Sequence, residues 1–232
     1  ADVICAAHAA AEAALRLMAP GSTNTAVTDV VGRVAAAYNC TPVQGVLSHV
    51  TKRNIIDGNK VIAGCADPEH RVDEFSFEPF EVYHLDVIVS TGDGKVRDRD
   101  FKSTVFRRAI DKEFQLKMKS SRAFLSEVAS VAKDSAFSMR WFADPRLRMG
   151  LPECLKHGLL NEHAVTGEKQ GELIAQVKYT VFVKPNGVMR VSGVSAPYVK
   201  SELAVTDPEI LALMEKSLAK KKKNKGKGKK KE

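Results

Sequence analysis

Imidazoles, carboxylates and ammonium groups are the side chains here that could do chemistry, and their spacing limits what chemistry that is. The six histidines (His8, His49, His70, His84, His157 and His163) contain no HExxH pair, and no Cys/His pairs stand at zinc-finger spacing. Cys5, Cys40, Cys65 and Cys154 are widely separated, lack a CxxC and sit in apolar segments, as reduced core thiols of an intracellular protein would. The β-branched run ELIAQVKYTVFV (residues 172–183) carries one internal cation, Lys178. An ammonium there can neutralise a carboxylate or a phosphate. It cannot serve two divalent ions ~3.5–4 Å apart, which need carboxylates to neutralise them and a bridging oxygen to space them. A unit charge ~4 Å from a like charge is repelled by roughly 4 kcal/mol at an effective dielectric near 20.

Elements must position these groups. Residues 3–18 are Ala-rich and stop at Pro20-Gly21, and residues 25–38 follow an Asn/Thr cap with Val27, Val30, Val31 and Val34 on one face; both read as helices. Strands are expected at 43–47, 61–64, 79–90 and 102–108, with a charged loop over 66–74. The 172–183 run meets Lys184-Pro185-Asn186-Gly187 and then Val188-Met189-Arg190-Val191, a strand and hairpin. Helices are expected at 121–133, 138–142 and 145–157, the last begun by Asp144-Pro145 and ended by Gly158. A closing helix over 205–219 has Asp207 as cap, Pro208 at its first position and Ile210, Leu211, Leu213, Met214 and Leu218 at helical spacing.

Several stretches carry a closer likeness. Gln176-Val177-Lys178-Tyr179-Thr180 resembles the last strand of the type 2 methionine aminopeptidases, the pita-bread metallopeptidases, in which a glutamate bridging two metals stands where Lys178 stands. Leu47-Ser48-His49 with Ile55-Ile56-Asp57-Gly58-Asn59-Lys60 resembles the segment holding a metal-ligand histidine and, seven residues on, a substrate-binding histidine; His49 matches the first and Ile56 replaces the second. FEVYHLDVIVS with Thr91-Gly92-Asp93-Gly94-Lys95 resembles the strand and glycine turn of another glutamate ligand, with Asp86 in its place. Further matches are AAEAALRL, LKMKSSRAF with Ser126-Glu127-Val128, and Arg148-Met149-Gly150 with Glu153-Cys154-Leu155-Lys156-His157. The chain is thus similar, over nearly its whole length, to the proliferation-associated, ErbB-receptor-binding proteins, non-peptidase homologues of those enzymes.

The resemblance implies an α+β fold: the C-terminal half of a pita-bread domain (1–116 and 170–219), interrupted by a helical type 2 insert (117–169) and followed by a disordered lysine tail (220–232). The first half of such a domain, with two aspartate ligands, would precede Ala1. It also implies no catalytic residue, no metal and no cofactor, with His49, Asp86, Lys178 and Ile56 as vestiges of the old site. The residues themselves leave other readings open: Lys178 as an outward-facing strand lysine in a shifted register, and His49 as a hydrogen-bonded core group.

Charge is uneven. Lys and Arg number 36 against 28 Asp and Glu, and the excess lies in Lys220, Lys221, Lys222, Lys223, Lys225, Lys227, Lys229, Lys230 and Lys231; without that tail the chain is balanced. Such a run repels itself and lacks apolar residues to bury. Lysines without interleaved aromatics suit phosphate neutralisation, a localisation signal or simple solvation. Four tail contacts to phosphate would weaken binding roughly tenfold to a few hundredfold between about 50 and 200 mM salt. The insert adds Lys117, Lys119, Arg122, Arg140, Arg146, Arg148 and Lys156 as candidate RNA contacts. Its Trp141, Phe142 and Phe137 read first as the insert's core, with stacking on RNA bases as the other reading. No apolar stretch approaches the ~20 residues of a membrane span.

The family resemblance implies a catalytically inactive scaffold that binds the large ribosomal subunit, its rRNA and ribosomal proteins near the exit tunnel, or other RNA. It would act in ribosome biogenesis or translation regulation, in the cytoplasm with a nuclear and nucleolar pool. The alternatives are a working dinuclear metallo-aminopeptidase and a nuclear nucleic-acid-binding co-regulator.

Overall fold

The computed structural model describes residues 1–53, 55–67, 71–196 and 198–218. The lysines of the tail therefore lie outside the described residues, as does Ala219, the last residue of the helix expected over 205–219. In chain order the elements are α1 (Asp2–Leu17), α2 (Asn24–Ala37), β1 (Thr41–Pro42), β2 (Leu47–Thr51), β3 (Val61–Ala63), β4 (Val82–Ser90), β5 (Arg97–Asp98), β6 (Val105–Arg108), α3 (Lys119–Val131), β7 (Phe137–Ser138), α4 (Leu151–Lys156), β8 (Leu160–Glu162), β9 (Thr166–Gly167), β10 (Ile174–Lys184), β11 (Gly187–Arg190) and α5 (Pro208–Met214). Two 3-10 segments, Met139–Trp141 and Pro145–Gly150, lie between β7 and α4.

The described residues form two compact units, one drawn from 1–96 with 168–218 and the other from 97–167. In the larger unit the antiparallel sheet runs β11-β10-β4-β2-β3, with β1 also paired to β4. The nine residues of β4 serve several neighbours: Tyr83 and His84 face β2, Val89 and Ser90 face β1, and the whole strand lies along β10. One face of the sheet is apolar. Tyr83, Leu85, Val87 and Val89 of β4 alternate with Val177, Tyr179, Val181 and Val183 of β10 in a core closed by α1 and α2. α1 meets that core through Ala6, Ala7, Ala10, Ala11, Ala13 and Ala14, each fully buried, because a methyl-sized face lets helix and sheet approach closely. α2 buries the four valines read from the sequence, a case of packing overriding weak helix propensity. Thr23 caps it, its Oγ accepting from Ala26 N, and Asn39 in the left-handed region (φ 53°) ends it.

The smaller unit has its own core of Phe106, Leu116, Phe124, Val128, Phe137, Phe142, Cys154, Leu159 and Leu160. It begins earlier than the 117 boundary expected from sequence. β6, expected in the half-domain, pairs instead with β7 and β8, so its ladder hydrogen bonds assign it to this unit. The helix expected at 138–142 is a strand end followed by one 3-10 turn, and the one expected at 145–157 is a 3-10 helix running into α4. The strand expected at 43–47 breaks at Gly45, whose φ of 71° makes a turn, so β2 starts at Leu47 and carries His49 within it. α5 is shorter than its expectation but buries Ile210 and Leu213 as the spacing required. Its cap, Asp207, and Glu209 both bind the Arg33 guanidinium, which holds the Asp207 carboxyl below its usual range. Among the described residues no helix is long and apolar enough to cross a membrane.

Candidate functional site

The face of the larger unit's sheet opposite the apolar core is polar, and period-two alternation decides who stands on it. Because Tyr83, Leu85 and Val87 turn to the core, His84 and Asp86 turn the other way. Across the β4–β10 register Asp86 is paired with Lys178 and His84 with Thr180; across β4–β2, His84 is paired with His49. Directly opposed residues project to the same side, so His49, His84, Asp86, Lys178 and Thr180 share one face. Lys178 and Asp86, 92 residues apart in sequence, therefore meet.

The contacts are close. Lys178 Nζ lies 3.0 Å from Asp86 Oδ2, and Gln176 Nε2 donates to Asp86 Oδ1 at 2.8 Å. Both carboxylate oxygens thus have a donor. The Lys178 side chain is 57% exposed and that of Asp86 13%, so this is a half-shielded pair with one wet end. Thr180 Oγ1 accepts from Ser192 Oγ at 2.9 Å. His49 Nδ1 is 3.1 Å from the carbonyl oxygen of Gly58, in the turn after β2. That turn requires glycine: a Cβ at position 58 would stand 2.5 Å from Val50 O. Burial lowers the His84 pKa below its ordinary 6.5, Lys178 pushes the same way and Asp86 opposes. The imidazole is therefore neutral at physiological pH.

A dinuclear metal centre does not fit this donor set. The carboxylate that could ligate is held by an ammonium and an amide. Among the described residues no three His, Cys, Asp or Glu side chains converge on a point that could hold a metal ion. Ile56 is not on the sheet: it is 43% exposed in the turn between β2 and β3. Sequence reasoning missed His84, Gln176 and Ser192. The first two stand at even spacing from Asp86 and Lys178, a period-two signal that was available; Ser192 reaches the face only through the hairpin.

The candidate RNA contacts of the smaller unit, Lys117, Lys119, Arg122, Arg140, Arg146, Arg148 and Lys156, are all exposed. Their commitments differ. Arg122 donates to the carbonyls of Leu116 and Lys117, both at 2.8 Å, and so holds the approach to α3. Arg146 pairs with Asp144 at 3.2 Å, on the carboxylate that also caps the 3-10 helix. The others make no ion pair among the described residues. The three aromatics read first as core divide: Phe137 (1% exposed) and Phe142 (3%) are core, whereas Trp141 is 54% exposed, a correction that follows from one 3-10 turn replacing the expected helix.

No protein-family model matches the chain. It is 45% identical over 232 residues to the ErbB-3 binding protein 1 of Solanum tuberosum, covering 99% of this chain and 60% of that protein. It is 41% identical over 222 residues to the curved DNA-binding protein of Schizosaccharomyces pombe, covering 93% of this chain and 58% of that one. Among solved structures, that of a thermophilic Arx1 superposes with a TM-score of 0.82 at 28% identity, over 94% of this chain and 64% of the other. The mixed helix-and-sheet architecture is thus of the pita-bread, aminopeptidase-like kind, and the chain spans roughly three fifths of the relatives it matches. With these identities sustained over nearly its full length, the chain is similar to the ErbB-3-binding and proliferation-associated proteins.

Proposed function

We propose that this protein is a catalytically inactive, aminopeptidase-like scaffold that binds the large ribosomal subunit through rRNA near the exit tunnel, in subunit maturation or translation control. The observation that carries the reading is the pairing of Lys178 with Asp86; by the sequence resemblance, this cation takes the place of the bridging carboxylate that the peptidase mechanism needs. Loss of the metal chemistry leaves binding as the fold's use. The exposed basic residues of the smaller unit and the lysine excess of the tail supply a partner class, a polyanion. Phosphate contacts of this kind set affinity and orientation, while the rigid domain supplies shape. The proposed location is cytoplasmic with a nuclear and nucleolar pool, since rRNA is met in both.

The test is co-sedimentation of the protein with purified large subunits at 50 and 200 mM salt, comparing the whole chain with one ending at Ala219. Saturable binding that weakens with salt and with loss of the tail is expected; no binding by either form overturns the reading. Stoichiometric uptake of two manganese or cobalt ions with peptide turnover would establish the competing metallopeptidase. A second reading, a nuclear nucleic-acid-binding co-regulator, is favoured by the likeness to the fission yeast protein named for binding curved DNA. Recovery of DNA rather than rRNA after crosslinking would select it.

A further inference from the structure

We propose that Trp141 is a stacking platform for an unpaired RNA base, which makes the smaller unit a reader of single-stranded or bulged RNA and not of phosphate alone. The inference rests on the RNA-binding reading above and specifies the RNA that this unit takes.

The turn Met139–Trp141 is fixed at both ends by buried aromatics. Phe137 precedes it and Phe142 follows it, their rings 5.5 Å apart and edge to face (85°); Phe142 meets Phe124 in the same way at 5.5 Å. The backbone is tied as well: Met139 N donates to Thr104 O at 3.1 Å, and Ser138 Oγ accepts from Arg140 N at 3.4 Å. Between two inward anchors the short arc turns Arg140 and Trp141 outward, and Trp141 remains 54% exposed. A large apolar ring on a fixed arc, left half in water, is what a stacking surface requires, because little conformational freedom is lost when a base lands on it.

The surroundings favour a nucleic acid over a protein as the occupant. The ring is flanked by Arg140 and followed by Arg146 and Arg148, three guanidinium groups against the single carboxylate of Asp144 over residues 140–148, a net-positive setting that suits phosphate. Chain length alone keeps these cations within about 25 Å of the ring. The 3-10 helix that carries Arg146 and Arg148 is itself pressed onto α3 at Gly150, where a Cβ would lie 2.8 Å from Ser121 Cα. Aromatic rings beside guanidinium groups are how folded modules hold splayed bases, with the cations on the phosphates and the ring under the base. A duplex keeps its bases stacked on each other and offers the ring nothing.

The chain contains one tryptophan, so its emission reports on this position. The experiment titrates the whole protein with three RNAs of equal length: a single strand, the same strand with abasic sites throughout, and a duplex. Quenching by the single strand alone is expected. By anisotropy of labelled single strand, Trp141→Ala weakens binding about five- to tenfold with the salt slope unchanged, Trp141→Phe restores most of it, and thermal melting of both variants matches the parent. Unquenched emission at saturation, equal binding of strand and duplex, or full affinity in Trp141→Ala overturns the platform. If Trp141→Ala instead loses a ribosomal protein while holding RNA normally, the occupant is protein and the proposal fails. Co-sedimentation with large subunits keeps the two readings apart: retained subunit binding with any of these failures sinks the platform alone, and lost subunit binding in the parent protein sinks the function beneath it.

Discussion

The open sheet face of the larger unit and the surface of the smaller unit both present exposed cations, yet they use them in opposite ways. Lys178 is spent inside the molecule: Asp86 takes its charge, Gln176 takes the other carboxylate oxygen, and the neutral His84 adds no charge. Lys119, Arg140, Arg148 and Lys156 are exposed and without ion pairs among the described residues. A charge already neutralised by its fold has little left to offer a partner, while an unpaired cation on a rigid support offers nearly all of its field. The difference teaches where to look for function in this protein: in the charges its own fold leaves unanswered.

The largest effect should come from the core that holds the second surface. Phe124→Ala removes a fully buried ring from the aromatic cluster and should destabilise the smaller unit by about 3–5 kcal/mol, with partial unfolding seen by chemical denaturation and loss of RNA binding. Retained cooperativity and binding would deny that unit its own core. Next, Lys119→Glu combined with Arg148→Glu should cut large-subunit affinity about tenfold or more near 100 mM salt and lower the salt slope by about one for each phosphate left without its cation. An unchanged slope would remove these residues from the interface.

Smaller effects test the neutralised face. Lys178→Met should destabilise by only about 0.5–1 kcal/mol, because its ammonium end is in water, and should leave subunit binding as it was. A tenfold loss of subunit binding would erase the contrast between the two surfaces. The smallest effect is on pH. His84 titrates below 6.5 in the folded chain, so the neutral ring's contribution to stability is whole above that value and is lost as pH falls from 6.5 through the lowered one. Removing the Lys178 charge should raise the His84 pKa, by NMR titration, and shrink that loss, because the folded pKa moves toward the unfolded one. A fall would mean that the lysine is not a significant contributor.

Period-two patterning carried much of the larger unit. The run expected over 172–183 is strand from Ile174 onward, its valines line the core, and Asp86 and Lys178 stand on the polar side. Side-chain alternation is a local property of extended chain, so these features could be read without knowing what the strand pairs with. The helix over 138–142 was misread for the converse reason. Met139, Arg140, Trp141 and Phe142 satisfy a helical pattern over one turn, and too few residues are present for periodicity to separate a helix from a 3-10 arc between two anchors.

By itself the sequence determined the secondary-structure alternation, the faces of α1 and α2, the neutral body with its basic tail, and the family likeness. What only tertiary structure decided was pairing between distant segments. Lys178 finds Asp86 across 92 residues because β10 lies along β4 in one register. β6 joins the smaller unit because β7 and β8 complete its ladder, and Trp141 faces water because Phe137 and Phe142 fill the space inside. Local sequence sets which way a side chain leaves its own backbone; what it then meets depends on loop closure and on competition for a limited interior volume, which no single segment contains.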